Sequence, residues 1–430
     1  MEIKMKIKQK NKAFEQVMEI PAPKRKKPRK PLFILKWIIK AFSAFDLFRL
    51  GAKFTETGME KLGKREPALI LMNHSCFLDL EMAEHYFYPQ SLSIVCTSDG
   101  FVGKEFLMRS IGCIPTQKFV SDMNLIRDMS YALKTLKTSI LMYPEASYSF
   151  DGTATPLPSS LGGLVKLLKV PVVTMITHGN YLKNPLYNEL QIRKVKVGAH
   201  VKYLISPEEA KTLTEQEINE RIQAEFSFDN FAWQKENNIK ITESFRADGL
   251  NRVLYKCPHC MTEGKMVGRG ITVKCESCGV SYTLCEDGSL SCDNAEGKFT
   301  HVPDWYKWER EQVRQEIERG EYKLDVPVEI RVMADYKAIY RVGEGRLIHD
   351  ENGFLLTGCD GQLEYKQTPI FSYSLYADYF WYEIGDVICI GDRKRLYYCF
   401  PQYDVVAKTR LAAEELYKMK SRQKTESKNN

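Results

Sequence analysis

Two Cys-x-x-Cys knuckles, Cys257-Pro258-His259-Cys260 and Cys275-Glu276-Ser277-Cys278, stand fourteen residues apart, and no other feature restricts the fold so narrowly. Each knuckle folds a tight turn that points two sulfurs at one tetrahedral ion, so the spacing predicts a four-thiolate zinc site. Such a site is coordinatively closed, which makes the ion structural rather than catalytic. Gly279 suits the second turn, and residues 265–274, with two glycines, predict a hairpin. His259, Cys285 and Cys292 are the alternative ligands nearby. Residues 249–295 are therefore expected as a zinc ribbon with too little core to fold without its metal. The segment between the knuckles has few aromatics and no dense basic patch, so nucleic acid is not an expected partner.

A chain of 430 residues is too long for one compact core, and more than one domain is expected. Its charge is uneven. Residues 1–40 hold thirteen Lys or Arg against three Glu, a net of +10 in a chain of +7, so the remainder carries −3. A basic head on a mildly acidic body points to a local electrostatic anchor rather than to a nucleic-acid binder. The run Lys24-Arg25-Lys26-Lys27, with Arg29 and Lys30, is broken by prolines, so residues 1–30 are expected as a disordered basic tail. No apolar signal-peptide core opens the sequence, and the twelve cysteines are expected as reduced thiols in a cytoplasmic compartment.

Residues 31–50 read PLFILKWIIKAFSAFDLFRL, with Lys36, Lys40, Ser43, Asp46 and Arg49 recurring every three or four positions. That spacing puts them on one stripe of a helix whose remaining surface is apolar. Four charges in twenty residues argue against a spanning helix. An amphipathic helix in the membrane interface is expected, its apolar face in lipid and its stripe in water.

The chemistry concentrates between residues 68 and 175. Ala68 to Met72 reads as a buried strand, and Asn73-His74-Ser75-Cys76-Phe77-Leu78-Asp79 follows it into a helix. Two residues five apart lie ~140° apart on a regular helix. His74 and Asp79 can meet only if His74 occupies the turn while Asp79 is already helical. A His–Asp pair there suits proton removal from an alcohol, with the carboxylate holding the imidazole tautomer. Neither Cys76 nor Cys113 carries a cue for a nucleophile.

Four segments, in order and spacing, resemble the glycerolipid acyltransferase family, whose best-known members are the lysophosphatidic acid acyltransferases. They are NHSCFLD at 73–79, GCIPTQK at 112–118, YPEASYS at 143–149 and VPVVTM at 170–175. The resemblance covers about residues 50–205 and implies an α/β domain with a mixed sheet flanked by helices. It implies His74 as general base with Asp79 as its partner, and Lys118, Glu145 and Ser147 as acceptor-binding residues. The third block departs from the family pattern Phe-Pro-Glu-Gly-Thr-Arg: Ala146 stands for Gly, Ser147 for Thr, and Tyr148 for Arg. Lys118 stands where the family has an arginine; it can neutralise a phosphate, but without the bidentate fork.

Residues 303–320 predict a charged connecting helix, with Pro near its start and Gly at its end. Short alternating runs over 321–415, broken by turns such as Glu351-Asn352-Gly353, predict a β-rich module, and 416–430 a disordered tail. The expected architecture is thus a tail (1–30), an interface helix (31–50), an acyltransferase domain (51–245), a zinc ribbon, a linking helix and a β-rich domain. The expected activity is transfer of a fatty acyl group from acyl-CoA or acyl-carrier protein to a lysophospholipid-like hydroxyl, within phospholipid metabolism. The expected place is the membrane's inner, cytoplasmic face, as a peripheral protein; zinc is the expected cofactor. The alternative is a lipid- or protein-binding scaffold at the membrane whose acceptor site has lapsed.

Overall fold

In the computed structural model, which describes residues 6–120 and 122–429, the apolar runs Leu69–Met72 (β3), Ser139–Met142 (β6) and Val172–His178 (β7) lie side by side. β3 is buried at every position, as expected for a parallel strand covered on both faces. The chain opens with β1 (Gln9–Asn11), α1 (Phe14–Met18), α2 (Phe33–Leu50) and β2 (Lys53–Thr57). Around the central strands come α3 (Leu78–Phe87), β4 (Leu92–Thr97), α4 (Glu105–Ser110), β5 (Cys113–Thr116), α5 (Met123–Tyr131) and α6 (Leu161–Leu168). After β7 follow α7 (Asn180–Lys183), β8 (Gly198–Ile205), α8 (Pro207–Thr212), α9 (Glu215–Glu225) and α10 (Asn230–Glu236).

The chain divides into two compact units. One comprises Lys24–Pro185 and Ile192–Gln234. Its seven-stranded sheet runs β2-β8-β7-β3-β6-β4-β5, parallel throughout except for the antiparallel β7–β8 pair. The register sets Leu71 beside Met142 and Met72 beside Met175. The carboxyl ends of three strands far apart in sequence therefore open at one place, where open α/β sheets bind ligands.

In this unit α2 differs from expectation. The first part of its polar stripe faces the protein rather than water, though Arg49 is exposed: Lys36 Nζ donates to Pro89 O at 2.7 Å, Lys40 Nζ to His85 O at 2.7 Å, and Ser43 is buried. The large apolar residues turned outward include Phe33, Ile34, Trp37, Phe42, Phe45 and Phe48, the last 86% exposed. No helix among the described residues is long and apolar enough to cross a membrane.

The other unit comprises Met1–Pro23, Leu186–Gln191 and Lys235–Asn430, of which residues 1–5 and 430 lie outside the description. Its smaller sheet is a four-stranded antiparallel ribbon of β9 (Met266–Arg269), β10 (Thr272–Cys275), β11 (Ser281–Leu284) and β12 (Leu290–Cys292). Helix α11 (Val302–Glu318) follows, and its Trp305 is fully buried, donating to Lys256 O at 3.1 Å beside the first knuckle. The larger sheet holds β13 (Leu324–Met333), β14 (Ile339–Asp350), β15 (Gly353–Gly358), β16 (Leu363–Gln367), β17 (Tyr376–Trp381), β18 (Gly385–Gly391) and β19 (Leu396–Pro401). Its order is β16-β15-β14-β13-β19-β18-β17, antiparallel between neighbours.

Both chain ends depart from the expected disorder. β1 adds to β14 in parallel, Gln9 opposite Ile339, and Ile7, Phe14 and Val17 are buried there. Three apolar side chains and an open strand edge outweigh the charge of the segment. The basic run is also held: Arg25 pairs with Asp128 at 2.5 Å and Lys26 with Glu105 at 2.8 Å. At the other end, α12 (Val406–Asn429) replaces the close of the β-rich module and the expected tail. Val406, Leu411, Ala412 and Leu416 are buried, and Glu414 bonds Arg310 at 2.7 Å. Once that first half is docked, the Lys-, Arg- and Glu-rich remainder has the propensity to continue the helix.

Candidate active site and metal centre

Strand β3 ends at Met72, and the next two residues are held by opposite means. Asn73 is fully buried and bonds across to β7: its Nδ2 donates to Thr177 O at 3.1 Å, and its Oδ1 accepts from Thr177 N at 2.8 Å. His74 occupies the turn, and Asp79 lies one residue inside α3. The His74 Nδ1 and Asp79 Oδ2 are 3.2 Å apart. The same carboxylate oxygen accepts the Ser75 and Cys76 backbone N–H groups at 2.6 and 3.0 Å, closing the turn. The other oxygen accepts from Asn180 Nδ2 at 2.6 Å and Thr177 Oγ1 at 3.2 Å. Asp79 is fully buried, while the His74 side chain is 21% exposed. Its Nε2 has no bonded partner among the described residues, so the imidazole is fixed at one nitrogen and open at the other.

The block after β6 supplies the second wall. Glu145, expected at the acceptor subsite, is buried, and its carboxylate is spent on the backbone: Oε2 accepts from His74 N at 3.0 Å, and Oε1 from Thr155 N at 2.8 Å. It ties the two blocks together. Ser147 is buried as well, 1% exposed. Ala146 has φ of 54°, in the left-handed region that favours glycine, so the backbone bend survives although the glycine of the family pattern does not. Tyr143 and Tyr148 both lie on the imidazole: the Tyr143 ring is stacked at 3.9 Å between centroids, and the Tyr148 ring is tilted at 4.3 Å.

Burial lowers the pKa of His74 below its ordinary value, the hydrogen bond to Asp79 raises it, and the charge of Lys118 lowers it. Lys118 follows β5 and is half-buried. The imidazole is therefore neutral at pH 7, the form that accepts a proton. Burial pushes the Tyr143 phenol well above its usual range, and its buried hydroxyl makes no hydrogen bond among the described residues. Cys76 is buried, with burial raising its thiol well above the ordinary value, which removes it as a nucleophile at neutral pH.

The structure thus gathers His74, Asp79 and Glu145, with the charge of Lys118 felt at the imidazole. The sequence reading missed Thr177, Asn180, Thr155 and the aromatic wall. One signal was available: Thr177 to Asn180 is a polar cluster closing an apolar run, just as Asn73-His74 closes β3. Gly179 within it has φ of 82°, and a Cβ there would meet Lys196 O at 2.4 Å.

In the second unit, the sulfurs of Cys257, Cys260, Cys275 and Cys278 all lie within 4.8 Å of one another. The pairs Cys257–Cys278 and Cys260–Cys275 are 3.6 and 3.7 Å apart. Zinc–sulfur bonds of ~2.3 Å in a tetrahedron require sulfurs about 3.8 Å apart, so the four thiols fit such an ion. The knuckles share a design: Met261 N donates to Cys257 O, and Gly279 N to Cys275 O. His259 is engaged elsewhere, its Nε2 2.9 Å from the Tyr282 hydroxyl.

No curated protein sequence matches the chain. Among solved structures, the 1-acyl-sn-glycerophosphate (LPA) acyltransferase PlsC from Thermotoga maritima is similar at 16% identity, over 44% of this chain and 76% of that one, with a TM-score of 0.34. Residues 53–178, which hold the His74–Asp79 pair and both of its walls, match the family described as Acyltransferase.

Proposed function

We propose that the protein transfers a fatty acyl group from an acyl thioester, acyl-CoA or acyl-carrier protein, to the hydroxyl of a lysophospholipid-like acceptor, with His74 as general base. The observation that carries this reading is an imidazole bonded to Asp79 through Nδ1 and open at Nε2, above the joined ends of β3, β6 and β7. Nε2 takes the hydroxyl proton as the oxygen attacks the thioester carbonyl carbon. The new C–O bond forms and the C–S bond breaks. The leaving thiolate takes the proton back from the imidazolium, so ester and free thiol appear together and His74 returns neutral. Asp79 stabilises the transient imidazolium, and the two tyrosine rings add cation–π attraction, about 0.5–2 kcal/mol each. No acyl-enzyme is needed. A scaffold that had lost its chemistry would have no use for so fully hydrogen-bonded a His–Asp pair.

The four-thiolate cluster holds one structural zinc in this reading, since a closed tetrahedral set leaves no position for a substrate. The peripheral membrane placement rests on α2. A helix that packs through its polar stripe and turns seven large apolar side chains outward has its free face matched to lipid. The inner leaflet, being anionic, suits the exposed Lys24, Arg29 and Lys30 of the basic run, each such charge contributing about 1 kcal/mol near its surface.

The test is release of free thiol from acyl-CoA by the purified chain with a mixture of lysolipids, together with the acylated product by mass spectrometry. His74→Ala is expected to cut turnover roughly 10²–10⁴-fold, the usual worth of a general base. Unchanged turnover in that variant removes the mechanism.

A further inference from the structure

We propose that α4 rests in the same lipid leaflet as α2, giving the unit that carries His74 a second point of contact off the axis of that helix; the proposal rests on the membrane placement of α2. Its starting point is an inversion. A short helix packed on a protein core is expected to bury its apolar residues and expose its charges. In Glu105-Phe106-Leu107-Met108-Arg109-Ser110 the reverse holds: Arg109 and Ser110 are buried, while Phe106 is 75% exposed and Leu107 49%. Polar bonds fix the helix this way round. Glu105 accepts from Arg109 Nε at 2.9 Å and from Lys26 Nζ at 2.8 Å. The Arg109 guanidinium lies over the buried Phe101 ring, 5.6 Å from its centroid, and the Ser110 hydroxyl donates to Phe106 O at 2.7 Å. Turning Phe106 inward would break the bonds of Arg109.

Helix α2 is inverted in the same sense, and the two helices adjoin. Leu32 N, at the start of α2, donates to Ser110 O, at the end of α4, at 2.9 Å. Pro31 lies so close to Gly112 that a Cβ there would meet its Cγ at 2.7 Å. Leu32 and Phe33, 48% and 71% exposed, therefore meet α4 about one helical turn from Phe106, and α4 continues the apolar surface of α2. The rim of that surface decides what covers it. Lys24, Arg29 and Lys30 are exposed, and none of the three pairs with an acid among the described residues, whereas Arg25 and Lys26 do. The acid of α4, Glu105, is already held by two cations. An apolar patch fringed by unpaired cations matches a leaflet, with acyl chains beneath anionic head groups. A second copy of the chain on the same patch would set those cations against each other. One helix lying in the interface leaves the domain free to roll about its axis; a contact beside it stops the roll.

The experiment follows the full chain on vesicles of phosphatidylglycerol and phosphatidylcholine. Phe106→Asp with Leu107→Asp should lower sedimentation with them at least tenfold, since each large apolar side chain taken out of lipid changes the partition about tenfold or more. Thermal unfolding should stay unaltered, because both side chains are exposed. Trp37 is the exposed tryptophan of the chain, so Trp37→Phe with Phe106→Trp moves the reporter to α4. Emission from position 106 should then shift to the blue on vesicles and be quenched when the lipid chains carry bromine. A chain that sediments while the reporter at 106 stays unquenched, or whose sedimentation the double aspartate variant does not lower, overturns the proposal and leaves α2 as the contact. A doubled mass without lipid that the same variant abolishes gives the patch to a second copy and overturns it too. A natural chain that does not sediment overturns the membrane placement itself, and this proposal with it.

Discussion

Replacing Asp79 by Asn separates two jobs that one carboxylate performs here. In a His–Asp pair where the amide nitrogen comes to face the imidazole, the wrong tautomer results and turnover falls about 10⁴-fold. The surroundings of Asp79 oppose that outcome. Oδ2 accepts two backbone N–H groups, from Ser75 and Cys76, besides His74 Nδ1, so an amide nitrogen placed there would confront two donors that cannot turn away. Oδ1 meets Asn180 Nδ2 and the Thr177 hydroxyl, both able to reverse: the buried Asn180 Oδ1 makes no bond, and a hydroxyl rotates. In Asp79→Asn the amide oxygen is therefore expected at the Oδ2 position, with the tautomer preserved. What is lost is the charge that stabilises the imidazolium, about 3 kcal/mol at ~5 Å and an effective dielectric of ~20. That predicts a fall in kcat of roughly 10²–10³-fold, with a stability loss of about 1–2 kcal/mol as charge-assisted bonds become neutral ones. The acidic limb of the kcat/KM profile, which burial already places below the ordinary histidine value, should move lower still, because the carboxylate raises that pKa. Stopped thiol-release assays from pH 5 to 8, beside His74→Ala as the floor, give both quantities. A loss that reaches that floor at 10⁴-fold, or one under tenfold, refutes the assignment of roles at Asp79.

Other consequences are open to direct measurement. Elemental analysis of the purified chain should find one zinc per chain; Cys275→Ser should abolish it and expose the 253–292 segment to limited proteolysis, and a metal-free chain with that segment protected would count against the site. Phe45→Asp with Phe48→Asp should reduce sedimentation with anionic vesicles at least tenfold, since each aromatic buried in lipid is worth about 1.5–3 kcal/mol, while leaving thermal unfolding unchanged because both side chains are exposed. His349, buried between Phe354 and the Tyr322 hydroxyl, has its pKa pushed down to about 3 by burial. The unfolded chain then binds the extra proton between about pH 6.5 and 3, so this contribution is complete above pH 6.5 and is lost as pH falls, by about 1.4 kcal/mol per unit. Urea midpoints at pH 7 and pH 5 test it, and His349→Gln should flatten the difference; equal slopes in the two proteins would dismiss the assignment.

The strands carrying the site were legible because each is an apolar run too short for a helix and bounded by polar residues, as at Ala68–Met72 before Asn73. The thiol spacing at 257–278 was legible for a stronger reason: four ligands at fixed intervals have few other uses. Position 148 was legible as a departure but not as a contact. Its ring reaches His74 because β6 lies beside β3 with Leu71 opposite Met142, and continuous apolar runs carry no period from which a register can be read. The same gap hid the backbone bonds of Glu145, which join a residue after β6 to one after β3.

Helix α2 shows where periodicity stops being informative. Lys36, Lys40 and Ser43 fall on one stripe whichever way the helix turns, and the usual assignment of the polar side to water follows only when nothing polar waits beneath. Here the end of α3 presents the His85 and Pro89 carbonyls, and the lysines bond them at 2.7 Å. Glu84 on α3 is buried, and burial raises its pKa to about 7 despite the charge of Lys36. Burial lowers the pKa of both lysines, and the carbonyl bonds offset that cost along the seam. Most of the apolar circumference is then the outer surface, Leu47 excepted, and the helix expected to keep its stripe in water uses that stripe to bond its unit. Because α3 also bears Asp79 in its first turn, the seam braces the same helix that orients the imidazole.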